Sequence, residues 1–388
     1  MSYVFNLPTK VLFGAGKINK LASIPMPGRK ALLVISDGRS VRTNGSLEKV
    51  ENQLHTAGVE YVVYDRINAN PTVPVLEAGA EVARREKCDF IIGLGGGSVL
   101  DAVTIISAYA PQPDGKLWDY VFGGTGGGRK LTAKPLPYIE ITTTAGTGSE
   151  VDAWGVVTNP ETKEKIGFKG GYAEWAIVDP ELMLSVPRQF TAYQGFDALF
   201  HSVEGYVSKY SNEMAEIVQL AAIENIAKYL PTAVNDGSNL EARTKVAFAN
   251  TLSGYSMELG SCTSEHAMEH AMSGHHPNLP HGAGLIMISL PYFELWINKG
   301  VCDERFVTMA RTMGIADAQQ PKQFLDALRS LQQQCGVDQL RMSDYGILPD
   351  EFATLVRDAK ATMGGLFACD RFEMTDAEVE EIYRQAYK

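Results

Sequence analysis

Along the first half of the chain, short apolar runs alternate with amphipathic stretches. Lys30–Ile35, Tyr61–Tyr64, Asp89–Gly93 and Pro137–Thr142 are nearly continuous apolar runs. Runs of that kind predict strands covered on both faces. Between them, 46–55, 75–87 and 100–109 repeat their apolar residues at helical spacing. This alternation predicts a mainly parallel sheet wrapped by helices. From Phe190 onward the apolar period lengthens to three and four, over 215–229, 241–255, 322–334 and 376–387. The second half is therefore expected to be all helical. Prolines at Pro180 and Pro187 break the pattern between the halves. The expected division is an α/β dinucleotide-binding domain over 1–187 and a helical metal- and substrate-binding domain over 188–388. Gly123 to Gly128 follows no strong strand and opens no helix, and reads as a flexible loop.

Composition narrows the function. The chain has 388 residues, 45% hydrophobic and 21% charged, enough for two domains with a buried core. Its formal net charge of −11 argues against nucleic acid and anionic membrane surfaces as partners. The five cysteines are scattered with no C-x-x-C pair, which predicts reduced thiols. Met1 to Gly16 lacks the basic start and apolar centre of a secretory leader, so a cytoplasmic protein is expected. The apolar stretch 284–297 is interrupted by Pro291 and Glu294 and is too short to span a bilayer.

Two loops follow predicted strands. Gly95-Gly96-Gly97-Ser98 leads from strand to helix, where bare backbone N–H groups and the helix start favour phosphate. Ser98 and Asp101 have the spacing of a capping box. The second loop, Thr142 to Glu150, offers three consecutive threonines and two glycines. Either loop alone is equally a plain turn; together, on neighbouring strands, they point to a shared dinucleotide site. Asp37 ends the first strand, where a carboxylate can bond an adenosine ribose and repel a 2′-phosphate. That favours NAD over NADP, although Arg39 beside it suits a 2′-phosphate, and Asp37-Gly38 also reads as an ordinary turn.

Six of the seven histidines fall between 201 and 281. Asp197 and His201 are four apart, as are His266 and His270, so each pair shares one helix face. His281 lies between Pro280 and Gly282, a stiff setting for a ligand. Three imidazoles and a carboxylate suit Fe(II), Zn(II) or Co(II). Any one of these histidines alone reads first as an ordinary surface or capped core residue. Glu269 in His266-x-x-Glu269-His270 is placed like a metalloprotease base; a nucleotide domain upstream favours instead a solvated residue or a partner that orients a ligand histidine.

Together these motifs resemble the iron-containing (group III) alcohol dehydrogenase family over nearly the whole chain. The resemblance is carried by Pro8 to Gly16, Asn70-Pro71-Thr72, Gly95 to Ser98, Thr143 to Glu150, Val178 to Leu182, Gly195 to Tyr206, His266 to His270, and Pro280-His281-Gly282. It implies the dehydroquinate synthase-like fold: a nucleotide-binding α/β domain, a helical metal-binding domain and a cofactor in the cleft between them. By motif, Asp197, His201, His266 and His281 are similar to the family's metal ligands, and His270 to a histidine near the nicotinamide that relays the proton. Gly96, Gly97 and Ser98 match pyrophosphate contacts, Thr143, Thr144 and Thr147 contacts on the nicotinamide side, and Asn70 and Lys165 further cofactor positions. The activity implied is reversible hydride transfer between NAD(H), with NADP the second option, and a small alcohol or aldehyde. Fe2+ is the implied metal, Zn2+ its alternative, and a homodimer the implied assembly. The rivals on this scaffold are a lyase of dehydroquinate synthase type and a zinc glycerol dehydrogenase-like enzyme. Three positions depart from the family pattern. Thr104 stands where a lysine is usual, and Asp152 where a threonine is frequent. The segment from His270 to His281 carries one extra residue, so His275 and His276 compete with His281 as the last ligand.

Overall fold

The computed structural model describes residues 5–388. Within them the chain forms two compact units, Asn6–Val186 and Pro187–Lys388. In the first, strands β1 (Lys10–Phe13), β2 (Lys30–Ser36), β3 (Glu60–Ile67), β4 (Phe90–Gly95), β5 (Tyr138–Thr142) and β8 (Trp175–Val178) form one sheet in the order β1-β8-β5-β4-β2-β3. Every pairing in it is parallel. All strands thus end on the same edge, and the loops after β2, β3, β4 and β5 gather there. The apolar runs explain the burial: Ala31 to Ile35 and the whole of β4 are buried. Helices α1 (Ser40–Thr43), α2 (Ser46–Thr56), α3 (Val73–Arg85) and α4 (Gly97–Tyr109) belong to this unit.

Strands β6 (Trp154–Asn159) and β7 (Glu164–Lys169) form a separate antiparallel hairpin that packs on α4. Contact is close enough to require glycine: a Cβ on Gly155 would lie 2.6 Å from the Asp101 carbonyl oxygen, and one on Gly170 2.6 Å from that of Thr104. Helix α4 is consequently buried from Val99 to Tyr109, with no exposed face. The sequence reading placed neither this hairpin nor β1 and β8. β1 and β8 are only four residues long, and β6 and β7 carry Thr, Asn, Lys and Glu beside the apolar residues, so no run stands out.

The second unit contains α5 (Arg188–Val207), α6 (Glu213–Asn235), α7 (Leu240–Gly260), α8 (Ser264–His275), α9 (His281–Lys299), α10 (Asp303–Thr312), α11 (Gln323–Cys335), α12 (Phe352–Phe367) and α13 (Asp376–Ala386). No strand occurs among its described residues. Helix α5 is buried at every residue from Gly195 to Val207, and α8 from Ser264 to Gly274. Helices enclosed on all sides are rigid supports, because each side chain is held by dense packing. The apolar 284–297 stretch is the body of α9, which accommodates Pro291. No described helix is long and apolar enough to cross a membrane.

Candidate active site

In the α/β unit, four predicted cofactor positions stand at the carboxyl edge of the sheet. Asp37 follows β2, is exposed, and donates its N–H to the Ile67 carbonyl at 2.9 Å. Asn70 follows β3 with φ of 52°, a left-handed conformation that asparagine tolerates. The glycine loop follows β4 and the threonine loop follows β5. The expected capping box between Ser98 and Asp101 is not formed. Helix α4 starts earlier than the sequence reading put it, at Gly97, so Gly96 is the N-cap and offers no side chain to the helix. Ser98 thereby falls inside the first turn. Among the described residues, the N–H groups of Gly97 and Ser98 meet no acceptor. An uncapped helix start of this kind fits an anion such as a pyrophosphate.

The two loops interlock. A Cβ on Gly96 would fall 2.8 Å from Thr144 Cγ2, and one on Gly97 2.4 Å from Thr147 Cγ2. The glycines therefore admit the threonine loop as well as leaving the helix start bare. Thr143 is tied to the first loop by its N–H to the Gly95 carbonyl at 2.9 Å. Thr142 Oγ1 donates to the Thr144 carbonyl, and Ser149 N–H to Thr147 Oγ1. Lys165 lies elsewhere, buried on β7 in register with Thr158.

In the helical unit, Asp197 and His201 stand one turn apart on α5, His266 on α8, and His281 is the first residue of α9. Local sequence brings His281 in. Pro280 caps α9, and Gly282 lets its first turn meet α5: a Cβ there would lie 2.1 Å from the Tyr193 carbonyl oxygen. The result is three imidazoles around one carboxylate oxygen. Asp197 Oδ1 lies 3.7 Å from His201 Nε2, 3.6 Å from His266 Nε2 and 3.4 Å from His281 Nε2. These separations exceed a hydrogen bond. They match the edges of a tetrahedron whose centre-to-ligand bonds are about 2.1 Å, for which about 3.4 Å is expected. Asp197 Oδ1 and His266 Nε2 are buried and accept or donate no hydrogen bond, as expected of atoms aimed at an ion. The residues present thus fit a divalent metal. His281 is the most open of the four, its side chain 21% exposed against 5–6% for the others.

Two buried carboxylates support this cage from behind. Glu204 Oε1 bonds His266 Nδ1, while its Oε2 accepts from Thr263 N–H at 2.8 Å and Thr263 Oγ1 at 2.9 Å. Glu269 Oε2 bonds His281 Nδ1. Gly284 makes room for it, since a Cβ there would come 2.7 Å from Glu269 Cγ. Each bond fixes which ring nitrogen faces the ion and raises its basicity. Glu269 is therefore buried rather than solvated, and its carboxylate is bonded to His281. Glu204 escaped the sequence reading, although Asp197, His201 and Glu204 follow the i, i+4, i+7 rhythm of one helix face. Burial alone would raise the Asp197 carboxyl; the His201 and His281 imidazoles outweigh it and hold the group well below its ordinary range.

The later histidines differ in their partners. His275 Nε2 lies 2.8 Å from Asp358 Oδ2, and His276 Nε2 3.1 Å from Glu351 Oε2. Both are spent on other carboxylates. His270, buried one turn beyond His266, sits with its ring centroid 5.3 Å from that of His281, the planes at 64°. It borders the cage without facing Asp197 in the way the other three do.

The iron-containing alcohol dehydrogenase model matches residues 8–180, and the Fe-containing alcohol dehydrogenase family C-terminal model matches 191–387. The 1,3-propanediol dehydrogenase of Citrobacter freundii is 34% identical over 93% of this chain and 92% of its own length. The NAD-dependent methanol dehydrogenase of Bacillus methanolicus is 30% identical over 80% of both. A crystal structure of an archaeal halo-thermophilic alcohol dehydrogenase from a Red Sea brine pool superimposes with a TM-score of 0.94 at 32% identity, covering 100% of this chain and 99% of that one.

Proposed function

Because the chain belongs to the iron-containing alcohol dehydrogenase family and is an NAD- and metal-dependent alcohol dehydrogenase, we propose that it interconverts a small alcohol and its aldehyde at the Asp197–His201–His266–His281 cage. The observation that carries this reading is the placement of three Nε2 atoms around one unpartnered carboxylate oxygen. Fe2+ in that cage supplies Lewis acidity toward the substrate oxygen, and NAD supplies the hydride acceptor.

The residues of the chain do the rest. Asp197, His201, His266 and His281 hold the metal, and Glu204 and Glu269 keep their rings turned toward it. Asp197, His201 and His266 are buried, which limits water around them, and His281 is the more open side from which a substrate would approach. His270 takes up the alcohol proton at an imidazole nitrogen. Gly96, Gly97 and Ser98 bind the pyrophosphate, and Thr143, Thr144 and Thr147 the nicotinamide half. Asp37 bonds the adenosine ribose, which sets NAD above NADP, and Asn70 and Lys165 complete the cofactor contacts. The relatives named for 1,3-propanediol, methanol and long-chain primary alcohols set the range of substrates to try. We place the enzyme in the cytoplasm as a homodimer.

The test is a panel of short and long alcohols and aldehydes, with NAD and NADP, on protein loaded with Fe2+ or Zn2+. Alcohol-dependent NADH formation is expected with Fe2+, lost together with metal content in His266→Ala. Full metal content and turnover in that variant would show the cage to be wrongly assigned.

A further inference from the structure

Cys262 lies in the short link between α7, which ends at Gly260, and α8, which starts at Ser264. The reaction described above makes no use of it. Its thiol is buried beside the cage. Sγ and one nitrogen each of His201 and His266 all lie within 4.8 Å of one another. Those two rings are stacked, centroids 4.4 Å apart at 19°. The pair therefore belongs to two ligand sets at once. With Asp197 and His281 it offers nitrogen and oxygen; with Cys262 it offers nitrogen and sulfur. The two sets differ in softness, which is what divides metals of similar charge.

We propose that Cys262, His201 and His266 form a second, sulfur-containing metal position that captures thiophilic divalent ions such as Zn2+ or Cd2+, while Fe2+ keeps to the Asp197 side. The proposal rests on the ligand reading above, since both positions share His201 and His266. A zinc ion bound by thiolate and imidazole needs neighbouring ligand atoms about 3.5 Å apart. From a limit of 4.8 Å, closure takes side-chain movement on the order of 1 Å. Cys262 is outside both helices, so a shift of its side chain breaks no helical turn. Binding is exchange without redox. The thiol proton passes to solvent as the sulfur–metal bond forms. His266 Nδ1 is already bonded to Glu204, so both positions draw on the same His266 Nε2, and only one ion fits at a time. An ion on Cys262 leaves Asp197 and His281 without metal, so zinc competes with iron and silences the enzyme.

The experiment is X-ray absorption on the full chain loaded with one equivalent of Zn2+, with Cd2+ in parallel. A sulfur shell at about 2.3 Å is expected in the native protein, beside nitrogen at about 2.0–2.1 Å. It disappears in Cys262→Ser and Cys262→Ala, which also shows that none of the other four cysteines supplies it. It persists in His281→Ala, which lacks a ligand of the first position only. Zinc bound by nitrogen and oxygen alone in the native protein overturns the proposal and leaves the four-ligand cage standing. Loss of the sulfur shell in His281→Ala overturns it as well. Native protein that binds neither zinc nor iron overturns the cage itself, a different failure with a different signature.

Discussion

The carboxylate behind His266 offers a demanding test, because the isosteric change Glu204→Gln alters chemistry without altering shape. Glu204 is wholly buried and divides its two oxygens: Oε1 on His266 Nδ1, Oε2 on the N–H and hydroxyl of Thr263. In the glutamine variant the amide oxygen can still accept from Thr263. The amide NH2 then faces Nδ1 and donates to it. Nδ1 must become the acceptor, which moves the ring proton to Nε2, the atom aimed at the metal. Loss of such a partner lowers metal affinity by about 10–100-fold, or roughly 1.4–2.8 kcal/mol. Glu204→Ala goes further. It leaves the Thr263 donors buried and unpaired, at about 1–3 kcal/mol each, so thermal stability falls as well. The assay is competitive titration of Fe2+, Co2+ and Zn2+ into metal-free protein, with NADH binding by fluorescence as a control for the untouched α/β unit. Weakened metal binding with native NADH affinity is expected for Glu204→Gln. Metal affinity within twofold of the native value would refute the assigned role of Glu204.

The nucleotide loops and a buried acid give two more predictions. Gly97→Ala places a Cβ 2.4 Å from Thr147 Cγ2; KM for NADH should rise at least severalfold with metal content unchanged, and Thr147→Ser, which removes that methyl, should restore it in steady-state kinetics. Burial pushes the Asp370 carboxyl up to about 7 against its bonds from Ser264, and nearby Glu204 adds to the rise. The folded state then keeps a proton that the unfolded chain gives up above about pH 4, so Asp370 makes stability fall as pH rises from about 4 to about 7. Asp370→Asn should flatten that part of a melting-temperature profile, and an unchanged slope would discard the assignment.

Much of the cage was legible because its signals are local. Asp197 with His201, and His266 with His270, are visible as pairs one helical turn apart, and Pro280-His281-Gly282 as a stiff entry to a helix. What spacing does not contain is choice. His270, His275, His276 and His281 are chemically equal in the sequence, and long-range partners tell them apart. Asp358 and Glu351 take His275 and His276, across 83 and 75 residues, whereas Glu269 turns His281 toward Asp197. The capping box failed for a related reason. Pattern alone started α4 three residues late, and so hid that Gly96 leaves the helix start bare. A serine cap there would occupy the N–H groups that a phosphate needs. The β6–β7 hairpin was invisible because its strands answer to the surface of α4 rather than to any apolar run of their own.

Charge ties the cage to folding. Asp197, Glu204 and Glu269 are three buried carboxylates set against imidazoles that are neutral when they ligate. Without a cation the site has to recruit protons. Burial alone would depress the His266 imidazole, but Cys262 and Glu204 beside it outweigh that and hold it well above its ordinary range. A divalent ion replaces that proton and relieves the repulsion among the carboxylates, so metal binding stabilises the folded chain. At a free metal concentration of 100 times Kd the stabilisation is about 2.7 kcal/mol. For a domain of this size that raises the melting temperature by roughly 5–10 °C. Since the proton must leave His266 first, the rise should be larger at pH 8 than at pH 6. Differential scanning calorimetry with and without anaerobic Fe2+ measures both quantities. A melting temperature indifferent to metal, or a shift that grows as the pH falls, would contradict an ion held by these four side chains.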